Sequence, residues 1–94
     1  MKAIVWTPEA MKDRDGIFDR VEQSNPHVAE ALDTMFEEKC APLARHPAMG
    51  RPGRLPETRE LVVHSNYVLL YTVTDDAVVI LRLLHARQRW PGAE

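Results

Sequence analysis

The apolar positions of this chain change their period twice, and the changes divide it into elements. Lys2 to Trp6 is a short run rich in apolar and β-favouring residues, which predicts a strand. Thr7 then offers a hydroxyl as N-cap, Pro8 fits the first helical position, and Glu9 places a carboxylate near the positive end of a helix. A helix is expected from there. Its apolar side carries Met11, Ile17, Phe18 and Val21, with Asp13, Asp15, Arg20 and Glu22 turned to solvent and Gly16 as a weak point. Asn25-Pro26 repeats the cap-plus-proline signal. After it Val28, Ala31, Leu32, Met35, Phe36, Cys40 and Leu43 recur at spacings of three and four, so a second helix follows. The connection, roughly Gln23 to Asn25, is short enough to require a helical hairpin.

From Ala44 to Pro56 the breakers His46-Pro47, Gly50, Pro52, Gly53 and Pro56 crowd together and predict an irregular loop. Three strand runs come next: Arg59 to Val63, Tyr67 to Val73 and Val78 to Leu84. The turns between them, His64-Ser65-Asn66 and Thr74-Asp75-Asp76, suit antiparallel neighbours and are too short for parallel crossovers. The expectation is an α+β domain spanning residues 1–94, ordered β-α-α-β-β-β, with the helical hairpin packed on a curled antiparallel sheet. Gly92 to Glu94 are expected to fray.

Composition narrows the function classes. Ninety-four residues suffice for one modest core and not for a nucleotide-binding domain beside a catalytic one. The single cysteine excludes an intramolecular disulfide framework and suits a reducing compartment. The opening MKAIVW resembles neither a signal peptide nor a membrane span, so a cytoplasmic protein without membrane partners is expected. The net charge of −2 argues against a general polyanion binder, but it is uneven. Residues 1–44 hold five Lys/Arg against nine Asp/Glu, and residues 45–94 hold seven Arg against five Asp/Glu, so the basic half is basic through arginine alone.

Three clusters carry candidate chemistry. Arg51-Pro52-Gly53-Arg54 presents two guanidinium groups on a stiffened backbone, either to grip phosphates or carboxylates or simply as a solvated turn, and Arg59-Glu60 reads equally as an exposed strand-end ion pair. His64, Ser65, Asn66 and Tyr67 gather at a turn. There Asn66 has a structural explanation through left-handed backbone angles, and Tyr67, Leu69 and Tyr71 share one face. At the end of the last strand His85, Arg87, Gln88, Arg89 and Trp90 combine a proton-handling ring, guanidinium groups and an aromatic able to stack on a base. The same residues also read as a backbone-bonded histidine and an anchor for the tail. A metal module on His46, His64 and His85 is disfavoured, because no HxH or HxxxH spacing occurs and Cys40 follows the core periodicity of its helix; no cofactor is called for.

The stretches HPAMGRPGR, TRELVVHSNYVLLY and LRLLHARQRWP, with the opening MKAIVWTPEAMKDRDGIFDRVEQSNP, resemble the RelE/ParE superfamily of bacterial toxins over nearly the whole chain. The resemblance implies the toxin of a type II toxin-antitoxin (plasmid-stabilisation) module, held silent in a complex with its cognate antitoxin. His85 stands where several RelE-like ribosome-dependent mRNA endonucleases carry a catalytic histidine, and Arg87 where others carry a catalytic arginine. The departures are Val62 and Val63 where those nucleases place an arginine or histidine, and Asn66 where some have an acidic residue. An incomplete acid-base set looks more like the ParE branch, whose members poison DNA gyrase. On that reading Arg51, Arg54, Arg59, His64, Asn66, Tyr67, Arg87, Gln88, Arg89 and Trp90 form the surface for target or antitoxin. The alternative partners are the ribosome and mRNA.

Overall fold

A computed structural model of the chain describes residues 1–88. The elements run β1 (Ala3–Trp6), α1 (Pro8–Ser24), α2 (Pro26–Cys40), β2 (Arg51–Pro52), β3 (Arg59–His64), β4 (Tyr67–Val73) and β5 (Ala77–His85). Both helix starts follow their local chemistry. The Thr7 hydroxyl accepts from Ala10 N–H (3.1 Å) and donates to the Leu81 carbonyl (3.2 Å), while the Asn25 side chain accepts from Val28 N–H (3.2 Å). Each cap contributes about 1 kcal/mol. Asn25 closes α1 and opens α2, so the hairpin connection is one residue.

The sheet order is β1-β5-β4-β3-β2. The meander β3-β4-β5 is antiparallel as its turns require, and the hairpin covers one face, giving the expected α+β fold. Two features go beyond the sequence reading. β1 joins β5 in parallel at the edge, Ala3 opposite Ala77 through Trp6 opposite Ile80, so the sheet is mixed. The chain between them passes through the helical hairpin and then β2, β3 and β4, far more than the roughly dozen residues that a parallel pair needs. The breaker-rich stretch is not wholly irregular either: a 3-10 turn at Ala41–Ala44 leads into it, it holds another at Pro47–Met49, and its two-residue β2 pairs with Arg59 and Glu60.

The main core lies between the helices and the sheet, where Ala10, Ile17, Phe36, Cys40 and Leu43 meet Val63, Tyr67, Leu69, Tyr71, Val78, Ile80 and Leu83. A smaller cluster on the far face joins Val68, Leu70 and Leu84, with Leu55 and Leu81 packed against it. The buried stripe of α1 is Ala10, Arg14 and Ile17, with Val21 half-buried, so the expected core position Met11 is exposed; on α2 Val28 and Ala31 are also exposed. An arginine inside the stripe hid the true phase. Arg14 is buried because Asp33 takes its guanidinium in two bonds (2.7 and 3.0 Å), Glu37 takes a third (2.9 Å), and its carbon stands 4.9 Å from the Trp6 ring centroid. The Asp33 bond, opposed by desolvation, leads a set of contacts that fix Arg14 in its charged form.

Asp13, expected in solvent, instead seals an edge. Past Ile80 β5 has no β1 partner, and the Asp13 carboxylate accepts Leu83 N–H (3.0 Å) and both arms of Arg82 (2.7 and 3.0 Å). This replaces the missing ladder bond, since an unpaired strand N–H near the core is costly.

The loop before β3 is held by two buried groups. The Tyr71 hydroxyl donates to the Pro47 carbonyl (2.6 Å) and accepts from Gly50 N–H (2.9 Å). A Cβ at Gly50 would stand 2.7 Å from that hydroxyl and 2.8 Å from the Glu60 carbonyl oxygen, so only glycine fits this approach. Glu60, 4% exposed, accepts from Arg51 (3.1 Å) and from Arg54 through its guanidinium (3.0 and 3.2 Å) and its backbone N–H (2.8 Å).

Tyr71→Phe leaves the Gly50 N–H and Pro47 carbonyl buried without their partner, and is expected to lower stability by about 1–3 kcal/mol in urea unfolding; an unchanged midpoint would show that the hydroxyl does not anchor the loop. Burial pushes the Glu60 carboxyl up, but bonds from Arg54 and Arg51 outweigh it and hold the group below its ordinary value. A depressed folded value means that Glu60 stabilises fully above the unfolded carboxylate range and loses that contribution as pH falls through the folded value. Glu60→Gln is therefore expected to be less stable than the parent near neutrality, with the gap narrowing towards strong acid, as thermal unfolding across pH would measure.

Candidate functional site

Two bulges interrupt the register of the sheet. Register passes from Val62 opposite Val68 to His64 opposite Tyr67, so Val63 is an extra residue in β3. It passes from Leu70 opposite Arg82 to Tyr71 opposite Ile80, so Leu81 is extra in β5. A bulge shifts the alternation of every residue beyond it. The result sets His64 and His85 on the Tyr67 face: the His64 centroid lies 5.8 Å from that of Tyr67, and the His85 ring meets it edge-on at 5.5 Å. Phe36 of α2 packs edge-on at 5.5 Å from within.

Backbone bonds fix both imidazoles. Nδ1 of His64 accepts from Asn66 N–H (3.1 Å), and Nδ1 of His85 accepts from Arg87 N–H (3.1 Å). The turn and the strand end are tied together by Ala86 N–H donating to the Asn66 carbonyl (2.7 Å), and Gln88 folds back to accept His85 N–H through its side chain (3.3 Å). An Nδ1 that accepts carries no proton, so each neutral ring is protonated at Nε2. The lone pair that a general base must offer is already committed.

The surface expected from sequence thus divides. His64, Asn66, Tyr67, His85, Arg87 and Gln88 do come together at this rim. Arg51, Arg54 and Arg59 do not, because Arg59 and His64 begin and end β3, roughly 15 Å apart at the usual strand rise. Arg51 and Arg54 bind Glu60 and are neither a loose turn nor a ready phosphate grip. The exposed Arg59-Glu60 ion pair is not formed: Arg59 donates to the Gly50 carbonyl (2.7 Å) and more weakly to Ala48 (3.4 Å), while Glu60 faces the loop. Arg89 and Trp90 lie outside the described residues. His46 sits in the loop, away from the other two histidines, and among the described residues no three His, Cys, Asp or Glu gather as metal ligands. Sequence reasoning passed over Lys12 and assigned Arg20 to solvent, yet with Gly16 they flank His85 and Gln88; the available signal was their spacing of four along α1.

The chain and its fold have counterparts among known proteins. The family model described as "ParE toxin of type II toxin-antitoxin system, parDE" matches residues 4–90. Toxin Y4kP of Sinorhizobium fredii is 38% identical over 91 residues, covering 96% of this chain and 94% of that protein, and toxin RelE2 of Caulobacter vibrioides is 36% identical over 86 residues, covering 92% and 97%. Among solved structures, the chromosomal ParDE toxin-antitoxin system of P. aeruginosa superposes with a TM-score of 0.83 at 26% identity over 90% of this chain and 96% of its own. The RelBE2 toxin-antitoxin complex of Mycobacterium tuberculosis gives 0.59 at 27% identity over 89% and 96%. The chain belongs to the ParE toxin family of type II toxin-antitoxin systems, within the RelE/ParE superfamily. Among the described residues no helix is long and apolar enough to cross a membrane.

Long-range ¹H–¹⁵N imidazole spectra above the titration range are expected to show His64 and His85 both as Nε2–H tautomers. An Nδ1–H pattern at either ring would remove the proposed backbone lock there.

Proposed function

We propose that this toxin acts in the cytoplasm by ParE-like poisoning of DNA gyrase, without a chemical step of its own, and is silenced by a cognate antitoxin in a hetero-oligomeric complex. The observation that carries the reading is the commitment of both rim imidazoles to backbone N–H groups. Two further features support it. The β3 positions beside the rim are Val62 and Val63, which cannot titrate, and the carboxylate on that strand, Glu60, is buried against two arginines at the opposite end. RNA cleavage by the 2′-hydroxyl needs a base to take one proton and an acid to give another. The rim offers Nε2–H donors and no unengaged imidazole lone pair. Likeness to the toxin of a ParDE pair supports the same direction, and the matched ParDE and RelBE2 structures, being of toxin-antitoxin systems, support an antitoxin partner.

A second reading, a RelE-like ribosome-dependent mRNA endonuclease using His85 and Arg87, is favoured by one finding: the Caulobacter relatives bear RelE names. The two separate cleanly in vitro. Purified toxin is expected to inhibit gyrase supercoiling and to accumulate cleaved DNA, leaving ribosome-bound transcripts intact. Unaffected supercoiling, together with transcript cleavage that His85→Ala abolishes, would reverse the order.

A further inference from the structure

Lys12, Gly16 and Arg20 stand at intervals of four on α1 and line a groove of about 150 Å³ against Leu83, His85 and Gln88. The space beside Gly16 is open, for a Cβ there would meet nothing within 4 Å, so a side chain long enough to fill the groove is needed to close it. The polar groups whose bonding is fixed present donors to this groove. Nδ1 of His85 is engaged by Arg87 N–H, which leaves Nε2–H as the ring's available group. The Gln88 side-chain oxygen is engaged by His85 N–H, which leaves its NH₂. Asp13 also lines the groove, with its carboxylate oxygens bound to Arg82 and Leu83 N–H, so the Arg82 guanidinium balances its charge. Lys12 and Arg20 are exposed and make no ion pair among the described residues. Two full positive charges and two neutral donors, with the adjacent acceptors already satisfied, are the chemistry of an oxyanion site.

We propose that this groove is a carboxylate subsite, taking an Asp or Glu side chain from an acidic segment of the antitoxin; it rests on the antitoxin reading above. Charge selects a protein carboxylate over nucleic-acid phosphates. The chain carries a net −2, and α1 alone holds Glu9, Asp13, Asp15, Asp19 and Glu22 against Lys12, Arg14 and Arg20. Arg14 is spent on Asp33 and Glu37. A run of phosphates laid along the helix meets more repulsion than attraction, whereas one carboxylate seated beside Gly16 meets the two cations.

The test titrates the ¹⁵N-labelled full chain with acetylated tetraglutamate amide and, separately, with a single-stranded oligodeoxynucleotide, reading His85 Nε2 and Lys12 Nζ. The peptide is expected to shift both resonances saturably. Lys12→Gln and Arg20→Gln are each expected to weaken its binding about ten-fold with an unchanged thermal midpoint, and Gly16→Leu to block it while both charges remain. Oligonucleotide binding at these resonances tighter than that of the peptide, or peptide binding indifferent to all three variants, overturns the proposal. Co-expression with the proposed cognate antitoxin separates the two levels. Equal relief of growth arrest for the parent and the Lys12→Gln/Arg20→Gln chain overturns the subsite and leaves the antitoxin reading standing; peptide binding as expected, with no relief of the parent, supports the carboxylate site and sinks the antitoxin reading.

Discussion

The fold turns on a central strand that is buried on both faces. From Tyr67 to Tyr71 every residue of β4 is buried. Tyr67, Leu69 and Tyr71 face the helical hairpin, while Val68 and Leu70 form the second cluster with Leu84. The hairpin covers only the first face. The second is shielded by something else, and among the described residues Leu81 of β5 and Leu55 in the loop before β3 pack against it. A loop recruited as a lid over apolar surface cannot be left loose, because water entering beneath it would expose the far face of the central strand.

The pinning of that loop accounts for most of the polar interior. Tyr71 spans the sheet end with its ring in the main core and its hydroxyl on Pro47 and Gly50, so one side chain couples the first face to the loop. Glu60, on the neighbouring strand, gathers Arg51 and Arg54 around a buried carboxylate. A buried charge is tolerable only when its bonds are made, and Glu60 accepts four. Removing either arginine would strand part of that set. The opposite end of the sheet is free of this duty, and there His64 and His85 stand against the Tyr67 ring. One end therefore secures the lid while the other displays an aromatic and donor-rich rim.

What could be read in the sequence follows from how far its causes reach along the chain. The caps at Thr7 and Asn25, the hairpin and the three meander strands were legible because a residue and its partner sit within a few positions of each other. Parallel pairing of β1 was not, since nothing near Lys2 to Trp6 records which strand it will join. Asp13 was misread and Arg14 passed over for the same reason: their partners, Arg82, Leu83, Asp33 and Glu37, lie 19 to 70 residues away. A carboxylate and a guanidinium look like solvent residues until the counter-charge arrives through folding. At the candidate site, the turn and the strand end were legible as clusters of unusual residue types, but the bulges that aim them were not, because an extra residue in an alternating run has no signature without its partner strand.

The same accounting changes the meaning of the basic half. Seven arginines after position 44 suggest a surface prepared for polyanions. In the folded chain Arg51 and Arg54 bind Glu60, Arg59 binds loop carbonyls, and Arg82 binds Asp13. Each of these guanidinium groups has a structural task, and the field that reaches a partner is weaker than the count implies. Asp13 shows how far this internal use extends, for it pairs with Arg82 and accepts the Leu83 N–H, so that its carboxylate is already engaged where it lines the groove beside His85. Two cations that keep their charge outward, Lys12 and Arg20, lie on the acidic half of the sequence, where composition would not direct attention. Two outward cations suit a few placed acidic groups better than they suit a charged polymer, which is why the carboxylate subsite proposed above is built on them.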